Sequence, residues 1–139
     1  MSRAALQASN TNVQSVVEGG AINVGSVNLR FGRDICTNNG SAVIKTCGYY
    51  DCHQTVTIQP TAAGEVAVKL QHNGVDIPGA IAYGYATAAA QNVTLSLDAL
   101  LRVTCNNGCP CDSIPDTLTT VLVAGPGDVT SVLTSVSKL

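Results

Sequence analysis

Charged residues are scarce in this sequence. Asp, Glu, Lys and Arg make up 12% of its 139 residues, and the seven basic residues are scattered singly. A nucleic acid backbone is bound by a stripe or patch of Lys and Arg, which the sequence does not offer, so we expect no nucleic acid partner. With so few ionic groups to keep copies of the chain apart, we expect part of the surface to be buried between them. The composition therefore predicts an oligomer.

Long hydrophobic runs are missing too. No segment approaches the ~18 consecutive apolar residues of a membrane-spanning helix. Residues 1–7 carry one positive charge but lack the apolar stretch of a signal peptide. We therefore expect the protein to be made in a cytoplasm and to have no membrane partner.

Turn-forming residues, in contrast, recur at short and even intervals, at residues 18–20, 38–40, 63–64, 73–74, 78–79, 106–108 and 125–128. Period-two segments lie between them, most clearly where Val66, Val68 and Leu70 alternate with other residues. The hydrophobic content of 45% is enough for the core of one domain. Together these features predict a single all-β domain, either a sandwich or a barrel.

Individual strands can be assigned from the same pattern. Residues 40–56 form two short strands joined through Cys47-Gly48, and further strands are predicted at residues 80–87, 93–97, 117–124 and 129–139. Pro78-Gly79 predicts a short kinked edge segment. Residues 98–103 are apolar enough for a helix but lack the i, i+3, i+4, i+7 stripe, so we predict a turn followed by a strand.

Three features of the sequence resemble a known fold. The Gly48-Tyr49-Tyr50 step ahead of a strand, the strand ending in the Asn73-Gly74 turn, and the final strand ending in Ser137-Lys138-Leu139 are similar to the C1q/TNF-like jelly roll of bacterial and phage surface proteins. The resemblance covers nearly the whole chain. It implies a jelly-roll β-sandwich that forms a homotrimer around a three-fold axis.

A second resemblance concerns function. The opening Met1-Ser2-Arg3-Ala4-Ala5, the Asn10-Thr11-Asn12 step followed by residues 16–20, and residues 60–64 resemble small head fibre or capsid decoration proteins of phages and prophages of gut Firmicutes. The resemblance implies a virion structural protein on the particle surface, with itself and the major capsid protein or another virion protein as partners. The alternative is a receptor- or glycan-binding module on a phage tail or on a bacterial or spore surface.

The N-terminus is predicted to differ from the rest of the chain. The small, polar side chains before residue 13 predict a short arm, residues 1–13, that is disordered alone. Residues 14–139 then form the single jelly-roll domain. We expect the arm to tether the protein to the capsid, so that removing residues 1–10 leaves the trimer intact.

Tyr83 and Tyr85 are candidate ligand contacts. Side chains two residues apart on a strand share a face, so an exposed pair of tyrosines offers a surface on which a sugar of a host glycan can stack. The alternative interpretation is packing in the core or at an interface, where tyrosine is commonly half-buried.

Six cysteines allow three interpretations, which the sequence leaves open. The first is one or more disulfides, for which a link from the region of Cys36, Cys47 and Cys52 to the loop with Cys105, Cys109 and Cys111 would stabilise the fold by roughly 2–4 kcal/mol. The second is a metal held by Cys105, Cys109 and Cys111, which needs a distant fourth ligand. The third is free buried thiols that pack as small hydrophobic groups.

Residues for catalysis are not grouped in the sequence. His53 follows Cys52 directly, so on a strand the two side chains point to opposite faces and cannot act as a nucleophile and its base. His72 is predicted to be a solvated turn residue. The acidic residues are dispersed, although Asp112, Asp116 and Asp128 are candidates to hold an ion at a trimer axis. We expect no enzyme and no cofactor.

Overall fold

The computed structural model describes residues 3–103 and 116–139, which form β-strands and no helix. None of the described residues belongs to a helix long and apolar enough to cross a membrane. The strands in chain order are β1 (Ala5–Asn10), β2 (Gln14–Val16), β3 (Ala21–Ile22), β4 (Ser26–Phe31), β5 (Ile35–Asn38), β6 (Ser41–Ile44), β7 (Gly48–Pro60), β8 (Gly64–His72), β9 (Val75–Ala86), β10 (Val93–Val103), β11 (Asp116–Ala124) and β12 (Gly127–Lys138).

The strands form two antiparallel sheets of six strands each. The first sheet has the order β10-β7-β12-β1-β4, with β2 also paired to β12, and the second has the order β5-β6-β11-β8-β9, with β3 also paired to β11. Neighbours in a sheet are mostly distant in the sequence, as where the first and last strands pair. The predicted all-β sandwich is therefore confirmed.

One hydrophobic core fills the space between the two sheets. The first sheet contributes alternate residues such as Leu6 and Val56, and the second contributes Val66, Val68 and Leu70, all at most 1% exposed. The predicted burial of those three second-sheet residues is thus confirmed. The largest fully buried side chain is Tyr50, whose hydroxyl donates to the carbonyl oxygen of Thr46 at 3.0 Å.

Two polar clusters are also enclosed. Gln54 is 2% exposed and joins the sheets, because its amide donates to Thr134 Oγ1 at 2.8 Å while its carbonyl oxygen accepts from Thr120 Oγ1 at 2.5 Å. At one end of the sandwich, Lys138 Nζ lies 2.9 Å from the carboxylate of Asp34, and both side chains are largely buried. Among residues 3–103 and 116–139, no buried side-chain nitrogen or oxygen lacks a hydrogen-bond partner, as low-dielectric surroundings require.

Two of the predicted turns at Asn-Gly form, while the one predicted at residues 106–108 lies outside the described residues. Asn39-Gly40 connects β5 to β6 with φ angles of 52° and 78°, and Asn73-Gly74 connects β8 to β9 with φ angles of 53° and 80°. Both residues of each turn lie in the left-handed region, which Asn and Gly tolerate best and which matches the twist of antiparallel strands. The turns therefore set the register of their hairpins.

The edge strand β9 is longer than predicted, because it begins at Val75 instead of residue 80. Gly79 has a φ of 82°, and the register with β8 shifts between Lys69 and Gln71. Pro78 is tolerated there because an edge strand has unpaired positions at which proline needs no N–H donor. The predicted kink at Pro78-Gly79 is confirmed.

The predicted turn at residue 98 is wrong. Strand β10 runs unbroken through Asp98 and pairs with β7 along its whole length, so that Asp98 lies opposite His53. Leu101 and Val103 point inward, as the predicted alternation requires. The cross-strand pairing thus keeps the chain extended at a residue type that is rare in strands.

The predicted N-terminal arm is wrong for residues 5–10. They form β1, which lies between β12 and β4 and buries Leu6 and Ala8 to 1% and 0% exposure. The segment looked like an arm because its other side chains are small and polar, but Leu6 and Ala8 alternate with Gln7 and Ser9 as a half-buried strand does. The domain therefore includes this segment.

Candidate functional site

The outer face of the first sheet, the side turned away from the core, is built from small side chains at its centre. On β1 and β12 the outward positions pair Ala5 with Ser137 and Gln7 with Ser135. Short side chains at the centre of a sheet allow another protein layer to approach the backbone closely. We call this surface the first-sheet face.

Large apolar side chains lie exposed around that centre. Leu100 on β10 is 71% exposed and Tyr49 on β7 is 58% exposed, while Leu29 and Phe31 on β4 are 63% and 60% exposed. The guanidinium of Arg102 lies 5.9 Å from the ring centroid of Tyr49. Several large apolar groups on one face of a soluble domain are typical of a protein contact surface.

A histidine held by two carboxylates stands on the same face. His53 on β7 lies opposite Asp98 on β10 and two residues after Asp51, so all three side chains point outward. His53 Nε2 is 2.9 Å from the Asp51 carboxylate, and His53 Nδ1 contacts the Asp98 carboxylate. The hydrogen bond to Asp98, followed by that to Asp51, raises the pKa of His53 above its usual range. The protonated ring then donates one N–H to each carboxylate.

This cluster is not evident from the sequence. His53 is considered there only with Cys52, and Asp51 and Asp98 look dispersed along the chain. The Asp51-x-His53 spacing on a strand already places those two side chains on one face. The third member is separated by 45 residues in the sequence and is found only through the register of β7 with β10.

Tyr83 and Tyr85 lie on the edge strand β9 of the second sheet. They are 64% and 67% exposed and share the outward face, as the spacing predicts. Core packing therefore does not account for them, and the sugar contact stays a prediction. Between them, Gly84 lies against Val93 and Leu95, where an added Cβ would come within 2.9 Å of both side chains.

The cysteines differ in state. Cys47 is disulfide-bonded, whereas Cys36 and Cys52 are free thiols, so the disulfide prediction is wrong for these two. The side chain of Cys52 points into the core, where burial, followed by the charges of Asp51 and Asp98, raises its pKa to about 12. It packs as a small hydrophobic group. Cys105, Cys109 and Cys111 lie outside the described residues, so the metal prediction and the remaining disulfide prediction stay predictions.

His72 and the predicted ion site at Asp112, Asp116 and Asp128 do not match their predictions in the described residues. His72 is not a freely solvated turn residue, because its Nε2 contacts the Asp116 carboxylate at 2.5 Å at the start of β11. Asp128 is exposed on β12, and Asp112 lies outside the described residues. Within residues 3–103 and 116–139, no three His, Cys, Asp or Glu side chains are arranged to hold a metal ion.

Comparison with known sequences gives no assignment. No protein-family model matches the chain, and no curated protein matches its sequence.

Comparison with solved structures identifies the fold. The globular domain of zebrafish complement 1qA protein superimposes with a TM-score of 0.69 at 12% identity, over 94% of each chain. Murine APRIL at pH 5.0 superimposes with a TM-score of 0.68 at 12% identity, over 99% of this chain and 100% of its own. The PRD1 vertex protein P5 superimposes with a TM-score of 0.66 at 11% identity, over 98% and 96%. The chain thus has a C1q/TNF-type jelly-roll fold, and at these identities the likeness concerns the fold alone.

Proposed function

We propose that the protein is a homotrimeric structural protein on the surface of a phage virion, either a capsid decoration or a head fibre protein, with no catalytic role. The single observation that carries the proposal is the first-sheet face, with its small centre and exposed apolar surroundings. The fold likeness to a phage vertex protein supports the virion setting, and the resemblance to phage decoration and head fibre proteins supports the specific role.

The first-sheet face favours a second copy of the chain as its occupant. Burying one exposed leucine such as Leu100 contributes about 1.5–3 kcal/mol, and several apolar side chains of this face are available at once. The four charged side chains around Tyr49 and His53 balance when His53 is protonated, because Arg102 and His53 are positive and Asp51 and Asp98 are negative. A surface of balanced charge that is partly apolar loses less solvation than one of a single charge sign when a similar surface covers it.

Attachment to the particle is proposed to use a folded surface. Residues 5–10 are held in the first sheet between two other strands, so they are not available as a tether. If the first-sheet face is buried in the trimer, the outer face of the second sheet and the ends of the sandwich remain for the major capsid protein or another virion protein. The protein would be made in the host cytoplasm and displayed on the virion surface.

The oligomer is tested by light scattering on the purified protein and two matched variants. Ser135→Arg places a long charged side chain at the centre of the first-sheet face, and Thr119→Arg places it at a half-buried hydroxyl residue of the second sheet. We expect wild type and Thr119→Arg to show three times the chain mass of 14.2 kDa, and Ser135→Arg to be a folded monomer. A monomeric wild type would overturn the trimer.

The virion role needs a separate measurement. Particles purified from the host strain should contain the protein by mass spectrometry, and antibodies against it should label intact particles. If the protein is a trimer but is absent from particles, the proposed self-association holds and the proposed virion role is wrong. A receptor- or glycan-binding module at another surface would then be the better interpretation.

A further inference from the structure

A polar concavity of about 450 Å³ opens where β1 ends and β4 begins. Eight residues line it, and four of them are asparagines: Asn10, Asn12, Asn23 and Asn28. The others are serines, a threonine and a glycine, so no lining residue carries a charge. The volume lies within the range of small-ligand sites in proteins.

The floor of the concavity is fixed by a close backbone approach. Gly25 has a φ of 86°, and a Cβ at this position would lie 2.2 Å from the carbonyl oxygen of Ser9. Only glycine lets the two segments come this near without displacement. The strands β1 and β4 are therefore held together at the point where the concavity begins.

The asparagine side chains hold the surrounding backbone. Asn23 Oδ1 accepts from the Gly25 N–H at 2.8 Å, and Asn10 Nδ2 donates to the carbonyl oxygen of Asn23 at 3.1 Å. Gln14 makes two hydrogen bonds, each 2.9 Å long, to the backbone N–H and carbonyl of Asn23. A site whose walls are already ordered loses little conformational entropy when a ligand binds.

Other polar groups at the concavity are exposed and have unused hydrogen-bonding capacity. Across residues 3–103 and 116–139, the side chains of Asn12 and Ser26 have no hydrogen-bond partner. Asn28 Oδ1 accepts from Ser9 Oγ at 3.0 Å, while the amide group of Asn28 donates to no other described residue. Amide and hydroxyl side chains supply both donors and acceptors.

This lining selects among ligand classes. An ion would find no opposite charge, and an apolar ligand would leave the lining amides unpaired. A neutral molecule with many hydroxyl groups satisfies both donors and acceptors. We propose that the concavity binds a neutral saccharide, with Asn12, Ser26 and Asn28 as the contacting side chains. The inference goes beyond the proposed virion role and requires no trimer.

The test is an NMR titration of the full-length protein with maltohexaose, cellohexaose, mannohexaose and chitohexaose, and with hexagalacturonate as the charged counterpart. We expect at least one neutral hexasaccharide to shift the amide signals of residues 9–12 and 23–28 at millimolar concentration. The double variant Asn12→Ala with Asn28→Ala should bind about tenfold more weakly, which corresponds to 1.4 kcal/mol. Asn38→Ala, an exposed asparagine in the β5–β6 hairpin, is the matched control and should bind like wild type.

Several outcomes overturn the proposal. They are no binding of any neutral hexasaccharide at millimolar concentration, preference for hexagalacturonate, or unchanged affinity in the folded double variant. Shifts centred on Tyr83 and Tyr85 would instead place the saccharide on the second sheet. The oligomeric mass is a separate readout, so failure here leaves the trimer unaffected.

Discussion

The outer faces of the two sheets are built on the same alternation of inward and outward residues, yet they carry different chemistry. The first-sheet face has serines and alanine at its centre and apolar side chains around them. On the second sheet, Lys69 and Gln71 both bind the Asp76 carboxylate, at 3.1 and 2.9 Å. Outward residues are free of the core, so their types reflect what the surface meets. The second sheet also exposes Val75, Tyr83 and Tyr85, at 68%, 64% and 67%, so the two faces differ in their polar contacts and not in the presence of exposed apolar side chains.

The electrostatics of the two faces differ in the same way. His53 between Asp51 and Asp98 is charged only while it holds a proton, whereas on the second sheet Asp76 is paired with Lys69. The hydrogen bond from Gln71, followed by that from Lys69, lowers the pKa of Asp76 below its usual range. The charge of the first face therefore depends on the proton of His53, whose pKa is raised, whereas the lowered pKa of Asp76 keeps that carboxylate of the second face ionised.

The largest expected effect comes from removing the strand on which the first-sheet face depends. Deleting residues 1–10 removes β1, which pairs on both sides and buries Leu6 and Ala8, so we expect loss of the folded state, measured by circular dichroism. Deleting residues 1–3 is the control and should preserve the fold. If the protein lacking residues 1–10 still folds, the first sheet forms without β1, and the predicted N-terminal arm would be supported.

A smaller difference is expected between two ion pairs in their contribution to the free energy of unfolding. One pair is buried at an end of the sandwich, and the other is exposed on the second sheet. Lys138→Met removes the ammonium group 2.9 Å from Asp34, where both side chains are only 13% and 12% exposed, and should cost roughly 3 kcal/mol of unfolding free energy. Lys69→Met removes an exposed pair and should cost about 0–1 kcal/mol. Chemical denaturation measures both, and equal losses would contradict the difference in burial.

The smallest effect concerns pH. The pKa of folded His53 is raised, so its stabilisation is complete below about pH 6.5, its unfolded value, and is lost as the pH rises through the folded value. We expect the thermal midpoint of wild type to fall more than that of His53→Gln between about pH 6 and pH 9. Parallel curves for the two proteins would show that the cluster contributes nothing to stability.

The strands from β6 to β12 could largely be predicted because their signal is local, whereas β1 to β5 were not assigned from the sequence. Val66, Val68 and Leu70 alternate with more polar neighbours, and Asn39-Gly40 and Asn73-Gly74 adopt the left-handed φ angles that this pair of residues favours. Each of these features depends on a few adjacent residues. The strand types and the hairpins therefore followed from the chain alone.

The errors share a different cause. Residues 5–10 are a strand because β12 and β4 lie on either side, and Asp98 stays extended because His53 lies opposite it. Neither partner is near in the sequence. Local propensity favoured an arm and a turn, and pairing with distant strands outweighed it.

By itself, the sequence determined the all-β class, the two Asn-Gly hairpins and the low charge of the surface, since composition and period-two alternation are properties of the chain. The tertiary structure alone decided which residues meet. It placed Asp98 beside His53, joined Gln54 to both sheets and brought Gly25 against Ser9 to form the polar concavity. Those contacts depend on strand order and register, which long-range backbone pairing sets and no short segment encodes.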